Sequence, residues 1–169
     1  MEEAAIPHAE VTAPVYMHIS FADAAAYHAR LLDTVPELYT KPVRLRLEMA
    51  RYVLGEDYVR AMNGRAVLMR EVDTALAGYD AIVLPTMPIL PPRIGETSVA
   101  VSGQMLPVRA LTLRLTQLFN VTGHPAISLP CGLTRNGLPI GLQLVGARHH
   151  TELLLRTALA VESVLASAS

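Results

Sequence analysis

The dipeptide Asn136–Gly137 is the feature that most restricts how this chain can fold. It separates two runs of mostly apolar residues, AISLPCG from Ala126 and PIGLQLVG from Pro139. Asn-Gly adopts the left-handed backbone angles that a tight turn between antiparallel strands requires, and it is the strongest short-range signal for a β-hairpin. The sequence therefore predicts two paired strands here, and the remaining elements have to pack around them.

Five other stretches have the apolar spacing of helices. A first helix is expected over FADAAAYHARLLD, with Ser20 as its cap and an end before Pro36. A second runs from Pro42 to Gly55, and its inward face is expected to hold Leu45, Met49, Tyr52 and Val53. The others cover EDYVRAMNGRAVLMREVDTALAG, VRALTLRLTQLFNVTG and HTELLLRTALAVESVLA.

Two further segments are predicted to be extended. EVTAPVYMHI, which contains Pro14, fits an edge strand, and the continuous apolar run DAIVLP fits a strand buried on both faces. Between them and the hairpin, TMPILPPRIGETSVAVSGQMLP is rich in proline and is expected to be a long loop. This order predicts one α/β domain over residues 1–169, a mixed β-sheet flanked by helices. So few strands leave many apolar helix faces uncovered, and the sheet is therefore expected to be incomplete in this chain.

Composition excludes several classes of partner and site. The chain is 51% apolar and 17% charged with a net charge of −1, and it has no basic stripe that would bind nucleic acid. Its single cysteine excludes an internal disulfide and a zinc site built from several cysteines. No apolar run reaches the roughly 18–20 residues that span a bilayer, so no membrane segment is expected. The acidic opening MEEAAIPHAE does not resemble a signal peptide, and a cytoplasmic location is expected.

The side chains that carry chemistry do not form a complete catalytic set. Cys131 follows Pro130 at the end of a strand and is expected to be a buried, inert thiol. His124, between a helix and a strand, is either held by neighbouring backbone or in contact with a substrate. The pair His149–His150 lacks a carboxylate set with metal-ligand spacing, so neither a metal nor a cofactor is expected. The residues by themselves predict no catalytic residue.

Four segments, in this order and spacing, resemble the C-terminal part of the amidase-signature hydrolases. They are RLRLEMARYVLGEDYVRA, YDAIVLPTMP, LTQLFNVTGHPAISLPCG and GLPIGLQLVG. The resemblance covers roughly residues 10–165. In that family two serines and a lysine, supplied by a preceding Gly/Ser-rich region, convert a carboxamide to a carboxylate and ammonia. No segment here matches that region, and the resemblance implies that this chain is the C-terminal fragment of an amidase and inactive by itself.

The resemblance also implies a set of substrate-binding residues. Thr86, Met87 and Pro88 follow the strand DAIVLP and are expected to line the pocket, or else to anchor a loop. The turn that holds Asn120 and leads to His124 is expected to form the pocket wall. The partners implied are a small amide substrate in the complete enzyme and the missing N-terminal portion of an amidase.

Arg46 is the sixth expected substrate contact. The branch of the family that uses glutamine to amidate tRNA-bound amino acids holds its substrate with an arginine, best matched by Arg46, and with an acidic residue. Leu113 occupies the acidic position, and a leucine cannot pair with an ammonium. A fragment of a glutamine-using tRNA amidotransferase is therefore less favoured than a fragment of a plain amidase.

Two hypotheses from other classes stay open. The chain is an interaction module that pairs with another copy of itself through its uncovered apolar surface, giving a homodimer. Alternatively it is an unrelated cysteine hydrolase that uses Cys131 and His124. Loss of turnover on alkylation of Cys131 would support the hydrolase.

Overall fold

The computed structural model describes residues 2–167 of the chain. Two short 3-10 turns, at Ala9–Val11 and Pro36–Leu38, flank the first helix. The helices and strands follow in this order: α1 Thr12–Thr34, α2 Lys41–Ala50, α3 Gly55–Leu76, β1 Ile82–Pro85, β2 Ser98–Val101, β3 Gln104–Pro107, α4 Val108–Leu113, α5 Gln117–Thr122, β4 Ala126–Leu133, β5 Pro139–Val145 and α6 Thr151–Ser167.

The predicted hairpin is confirmed. Strands β4 and β5 pair antiparallel, and their turn is closed by the Gly137 N–H, which donates to the Thr134 carbonyl at 2.9 Å. Gly137 has a φ of 77°, the left-handed angle for which glycine is selected. The strand DAIVLP is also confirmed as β1, which pairs antiparallel with the other side of β5 and gives the order β1-β5-β4. It is not buried on both faces, because it lies at an edge of this sheet and its residues alternate between half-buried and exposed.

This sheet separates two helical layers. Val145 of β5, with Ile82 and Leu84 of β1, packs against a core cluster formed by α1, α3 and α5. Leu129 and Leu144, on the opposite face, pack against α6. Since side chains alternate along a strand, the central strand β5 contributes to both layers, with Val145 on one side and Leu144 on the other. The α/β architecture predicted from the sequence is confirmed, and the strand pairs among residues 2–167 are all antiparallel.

The expected extended opening is wrong, because residues 12–34 form one long helix. Pro14 lies in its first turn, where the missing N–H has no partner to lose. Val11, Val15 and Ile19 recur every four residues and pack into the core. A methyl group at Gly64 of α3 would lie 2.9 Å from Val15, so the two helices are in close contact there. Ser20, the expected cap, lies within α1.

The second helix presents a different face from the one expected. Leu47 and Ala50 are buried, whereas Leu45, Met49 and Tyr52 are exposed. Gly55 does not end this helix but begins α3. The apolar residues of α2 recur on two faces, and contact with α1 decides which of them is covered.

The expected proline-rich loop contains a second hairpin. Strands β2 and β3 pair around Ser102 and Gly103, whose φ values of 50° and 79° are those of a tight hairpin turn. The expected helix over VRALTLRLTQLFNVTG is divided into α4 and α5. The break is stabilised by Gln143, whose side-chain amide donates to the Leu115 carbonyl at 3.0 Å. No helix among residues 2–167 is long and apolar enough to cross a bilayer.

Candidate functional site

Three features lie around the sheet: a pair of hydroxyl groups at one end of β1, a large and mostly apolar cavity beside β1, and a charged cluster at the other end of β1. The hydroxyl pair consists of Thr86, directly after β1, and Ser128 on β4. Strand β5 lies between these two strands, so the pair meets across the middle of the sheet. The two hydroxyl oxygens are 2.5 Å apart.

Gly141 of β5 makes this contact possible. A methyl group on Gly141 would lie 2.7 Å from the Thr86 hydroxyl and 2.9 Å from the Ser128 hydroxyl, closer than non-bonded atoms approach. The Thr86 N–H donates to the Gly141 carbonyl at 2.9 Å, which extends the β1-β5 ladder by one residue and fixes the position of Thr86. Glycine is therefore required here for the space that it leaves. The pair lies on the same sheet face as Gln143, because Ser128 and Gln143 are register partners.

The cavity has a volume of about 1510 Å³ and lies between α1, β1 and the α4-α5 segment. Most of its wall is apolar, with Met17 and Phe21 of α1, Leu84 of β1 and Leu118 and Phe119 of α5 among the lining residues. Since α1 contributes residues from Thr12 to Phe21, the cavity follows this helix along about three turns. A space of this size exceeds the roughly 300–1,000 Å³ of a typical small-molecule site.

Charged side chains also line the cavity. Arg46 of α2, with Arg109 and Arg114 near α4, contributes guanidinium groups that make no ion pair with the other residues of the 2–167 segment. Leu113 lines the same cavity and is half-buried. The Tyr79 hydroxyl donates to the Glu2 carboxylate, and this bond raises the pKa of Tyr79. Glu2, Glu3, Glu10 and Asp80 also line the cavity, so it presents charges of both signs beside apolar surface.

The charged cluster consists of Asp73 on α3, His124 before β4 and Arg148 after β5. One carboxylate oxygen of Asp73 is 3.1 Å from His124 Nε2 and 3.2 Å from Arg148 Nε, and the other is 2.7 Å from Arg148 Nη2. His124 Nδ1 is 2.8 Å from the Thr122 hydroxyl. The start of β4 and the end of β5 are adjacent in the antiparallel pair, so a single carboxylate joins both to α3. We call these residues, with Thr122, the Asp73 cluster.

Burial and charge shift the pKa values in this cluster. Arg148, and to a lesser extent His124, hold the pKa of Asp73 below its usual value, so the carboxylate is ionised at neutral pH. Burial lowers the pKa of His124, and the bond to Asp73 offsets only part of this effect. His124 is therefore neutral at pH 7, and because the carboxylate can only accept, the ring proton lies on Nε2 and is donated to Asp73.

The six residues predicted to bind substrate lie in separate places. Thr86 belongs to the hydroxyl pair, and Met87 and Pro88 follow it. Arg46 lines the cavity, and Asn120 is exposed on α5. His124 has a side chain with 0% exposure and both ring nitrogens occupied, and it does not line the cavity. Substrate contact by these residues stays a prediction.

Several residues of these features were not found from the sequence. Gly141 gave a usable signal, since a glycine inside an apolar strand often marks a close approach of another group. Ser128 gave a weaker signal as a polar residue within β4. Asp73 and Arg148 gave none, because 75 residues separate them in the chain.

Among the Ser, Thr and Cys side chains of residues 2–167, the one paired with a base is Thr122, whose hydroxyl is 2.8 Å from His124 Nδ1. Thr122 has 0% exposure, so this hydroxyl is closed to a substrate. The Cys131 thiol, which is half-buried, contacts the Ile140 carbonyl at 3.5 Å. The nitrogens of His124 face Thr122 and Asp73 and are not directed at Cys131. Residues 2–167 also contain no group of three or more His, Cys, Asp or Glu side chains placed to hold a metal ion.

Comparison with known proteins agrees on one family. The family model described as Amidase matches residues 1–155. An amidase from Pseudomonas putida is 35% identical over 161 residues, which are 95% of this chain and 34% of that protein. One of the subunits of glutamyl-tRNA(Gln) amidotransferase from Koribacter versatilis is 31% identical over 193 residues, which cover 98% of this chain and 38% of that polypeptide.

Solved structures give the same result. An amidase crystal structure superposes with a TM-score of 0.84 at 31% identity, and the match covers 91% of this chain and 35% of that one. The 6-aminohexanoate cyclic dimer hydrolase superposes with a TM-score of 0.77 at 28% identity, covering 96% and 37%. The chain thus spans little more than a third of the length of the proteins that it matches.

Proposed function

This chain belongs to the amidase family, and we propose that it forms the sheet scaffold and one wall of the substrate pocket of an amidase. The reaction would be hydrolysis of the carbon-nitrogen bond of a linear amide, carboxamide plus water giving carboxylate plus ammonia. Residues 1–169 would act as one domain, working in the cytoplasm, where a single unpaired cysteine stays reduced.

This proposal is supported by one observation: the chain forms the walls of a cavity, but it does not supply the catalytic groups that would act on a substrate there. The hydroxyl pair lies on a rigid sheet, and a largely apolar cavity with unpaired arginines lies beside the same β1 strand. The described residues offer no accessible Ser, Thr or Cys nucleophile paired with a base, since Thr122 beside His124 is completely buried. We therefore assign the attacking oxygen and the proton acceptor to amidase polypeptide outside these 169 residues.

Within this proposal each predicted residue has a role. Thr86, Met87 and Pro88 would form the mouth of the pocket, and Arg46 would bind an anionic group of the substrate in the cavity. Asn120 would contact the substrate from the exposed side of α5. His124 would act on the pocket mainly by holding α5, because direct contact would require it to leave Thr122 and Asp73.

The cavity also indicates where further polypeptide would pack against this chain. Its apolar wall is long enough to hold polypeptide, and the relatives have chains almost three times the length of the matched part. We propose that further amidase polypeptide covers it. A second copy of this chain, which would give a homodimer, is the alternative occupant and is recognised by a doubled mass in light scattering.

A tRNA amidotransferase is the second candidate, because relatives of that name are about as similar as the amidase. Leu113 argues against it. A half-buried leucine at the position where that branch has an acidic residue provides no charge to pair with the ammonium of glutamine.

A fusion protein tests the proposed function. The part of the Pseudomonas putida amidase that precedes the matched region is joined to this chain, and ammonia release from primary amides is measured. We expect turnover from the fusion and none from the preceding part alone, which is the matched control. A fusion that is folded by circular dichroism but releases no ammonia from any linear amide would refute the assignment. Activity with glutamine together with a charged tRNA would favour the second candidate.

A further inference from the structure

We infer that the Thr86–Ser128 hydroxyl pair is a recognition site for a carboxamide group, one that distinguishes the amide substrate from its carboxylate product. This inference rests on the proposed function, because it assigns a polar contact at the proposed mouth of that pocket. Thr86, Ser128 and Gly141 lie outside the lining of the cavity itself. It adds Ser128 and Gly141 to the residues that shape the pocket, and it gives the pair a specificity role.

The hydroxyl pair has unused hydrogen-bonding capacity. Two hydroxyls carry two protons, and the 2.5 Å contact uses only one of them. The second proton and the remaining lone pairs have no side-chain partner among residues 2–167. The neighbouring Gln143, on the same sheet face, differs in that its amide is already bound to the Leu115 carbonyl.

The hydroxyl pair is also held in a fixed position by the sheet. The backbone N–H of Thr86 donates a hydrogen bond to the Gly141 carbonyl, which fixes the position of Thr86. Ser128 lies within the β4-β5 ladder. The missing side chain of Gly141 brings the two hydroxyls together over the central strand. Both side chains remain accessible, since Ser128 is exposed and Thr86 is half-buried. Polar groups held in place by paired strands lose little entropy when a ligand binds.

The hydrogen-bonding groups of the pair complement those of a primary carboxamide. The pair presents one donor and several acceptor lone pairs within one hydrogen-bond length. A primary carboxamide presents a carbonyl acceptor and two N–H donors on adjacent atoms, so it can engage both. A carboxylate only accepts and an ammonium only donates, so each leaves part of the pair unsatisfied. The site therefore favours the amide, and product release is assisted by the loss of the N–H donors.

The test on this chain uses NMR with benzamide and benzoate as probes. We expect saturable shifts of the backbone amides of Thr86, Ser128 and Gly141 with benzamide, and binding roughly tenfold weaker in the double variant Thr86→Val/Ser128→Ala. Benzoate should bind weakly and equally to both proteins. The control variant Thr34→Val/Ser163→Ala removes two exposed helix hydroxyls and should leave benzamide binding unchanged. Equal binding of benzamide and benzoate, or no effect of the double variant, would overturn the inference.

The fusion enzyme provides the second measurement. Thr86→Val/Ser128→Ala should raise the KM for a primary amide roughly tenfold and leave inhibition by the matching acid within about twofold. If KM and acid inhibition change by the same factor, the pair has no selectivity and the inference fails while the proposed function stands. If NMR shows the amide preference but the fusion never releases ammonia, the recognition site stands and the proposed function fails.

Discussion

The two ends of β1 differ in how completely their polar groups are satisfied. At the first end, beside the Asp73 cluster, a carboxylate, a guanidinium, an imidazole and a hydroxyl are bound to one another. At the second end, Thr86 and Ser128 are bound to each other and retain free capacity. We refer to these as the closed end and the open end.

We infer from this difference that the closed end stabilises the fold and that the open end is available for binding. The closed end is complete within the chain, so its groups hold α3, β4 and β5 together and have little capacity left for a ligand. Leaving the hydroxyls of the open end exposed costs little free energy, because water can form hydrogen bonds with them. Groups held rigidly but left unsatisfied are suited to binding, and this is the role that we propose for the open end.

The largest expected effect is on the core beneath the closed end. Leu68 of α3 has 0% exposure and packs in the cluster that includes Val145. Leu68→Ala should lower the free energy of unfolding by about 3 kcal/mol, because it removes apolar contacts and leaves a cavity. Leu45→Ala, at a leucine with 60% exposure on α2, is the control and should cost less than about 0.5 kcal/mol. Urea unfolding measures both, and equal losses would contradict the assigned core.

A smaller loss is expected at the Asp73 cluster. Asp73→Asn removes the charge that binds Arg148 and His124, and should cost about 1–2 kcal/mol. This is the low part of the range for such bonds, since the carboxylate is 39% exposed and solvent screens it. Asp57→Asn, which breaks a surface pair with Arg60, is the control and should cost less than about 0.5 kcal/mol. Urea unfolding measures both variants, and equal losses would show that the cluster is no more than a surface ion pair.

The same variant predicts a pH dependence. The pKa of Asp73 is lowered in the folded protein, so its contribution is complete above the unfolded value of about 3.9 and is lost as the pH falls through the lower folded value. With His124 replaced by Asn in both proteins, so that its titration does not contribute, the stability difference that Asp73→Asn causes should therefore be constant from pH 7 to about pH 5 and shrink below about pH 4. In that background, a difference that grows on acidification would show that the assigned direction is wrong.

The imidazole of His124 gives a spectroscopic test of the closed end. Its pKa, followed by NMR, should lie below 6.5, because burial outweighs the bond to Asp73. Asp73→Asn should lower it further, and Arg148→Gln should raise it by removing a nearby positive charge. Since the folded state favours the neutral ring, stability is complete above about pH 6.5 and declines as the pH falls toward the folded pKa. Shifts of the same sign in the two variants would contradict the geometry of the cluster.

The smallest effect is expected at the open end. Thr86→Val and Ser128→Ala should each change the unfolding free energy of this chain by less than about 1 kcal/mol, because exposed hydroxyls exchange a bond to each other for bonds to water. Thermal and urea unfolding measure this directly. A loss as large as that of Asp73→Asn would mean that the open end is structural, and the comparison between the two ends would fail.

The structural elements that neighbouring residues determine were predicted from the sequence. The elements that depend on contacts between distant residues were not. The β4-β5 hairpin followed from Asn136–Gly137, and the end of α5 from Gly123, whose φ is 75°. The inward face of α2 and the helical state of the chain's opening depend on packing between α1 and its neighbours, and both predictions were wrong. Proline-rich flanks concealed the β2-β3 hairpin.

The candidate site shows the same difference between residues found through local motifs and contacts between residues distant in the chain. Thr86 and Arg46 were named through a resemblance between local motifs, and the structure places one in the hydroxyl pair and the other on the cavity wall. Ser128 lies 42 residues from Thr86, and Asp73 lies 51 residues from His124. Contacts over such distances are fixed by the order of strands in the sheet, which a single sequence does not specify.

The central claim is that this chain builds a pocket wall but contributes neither the attacking group nor the base. Ammonia release from a panel of primary amides by the purified 169-residue chain tests it most directly, with the Cys131→Ser variant assayed beside it. We expect no release above the buffer control from either protein. Sustained turnover by the chain alone would contradict the account, and loss of that turnover in Cys131→Ser would identify a cysteine hydrolase in its place.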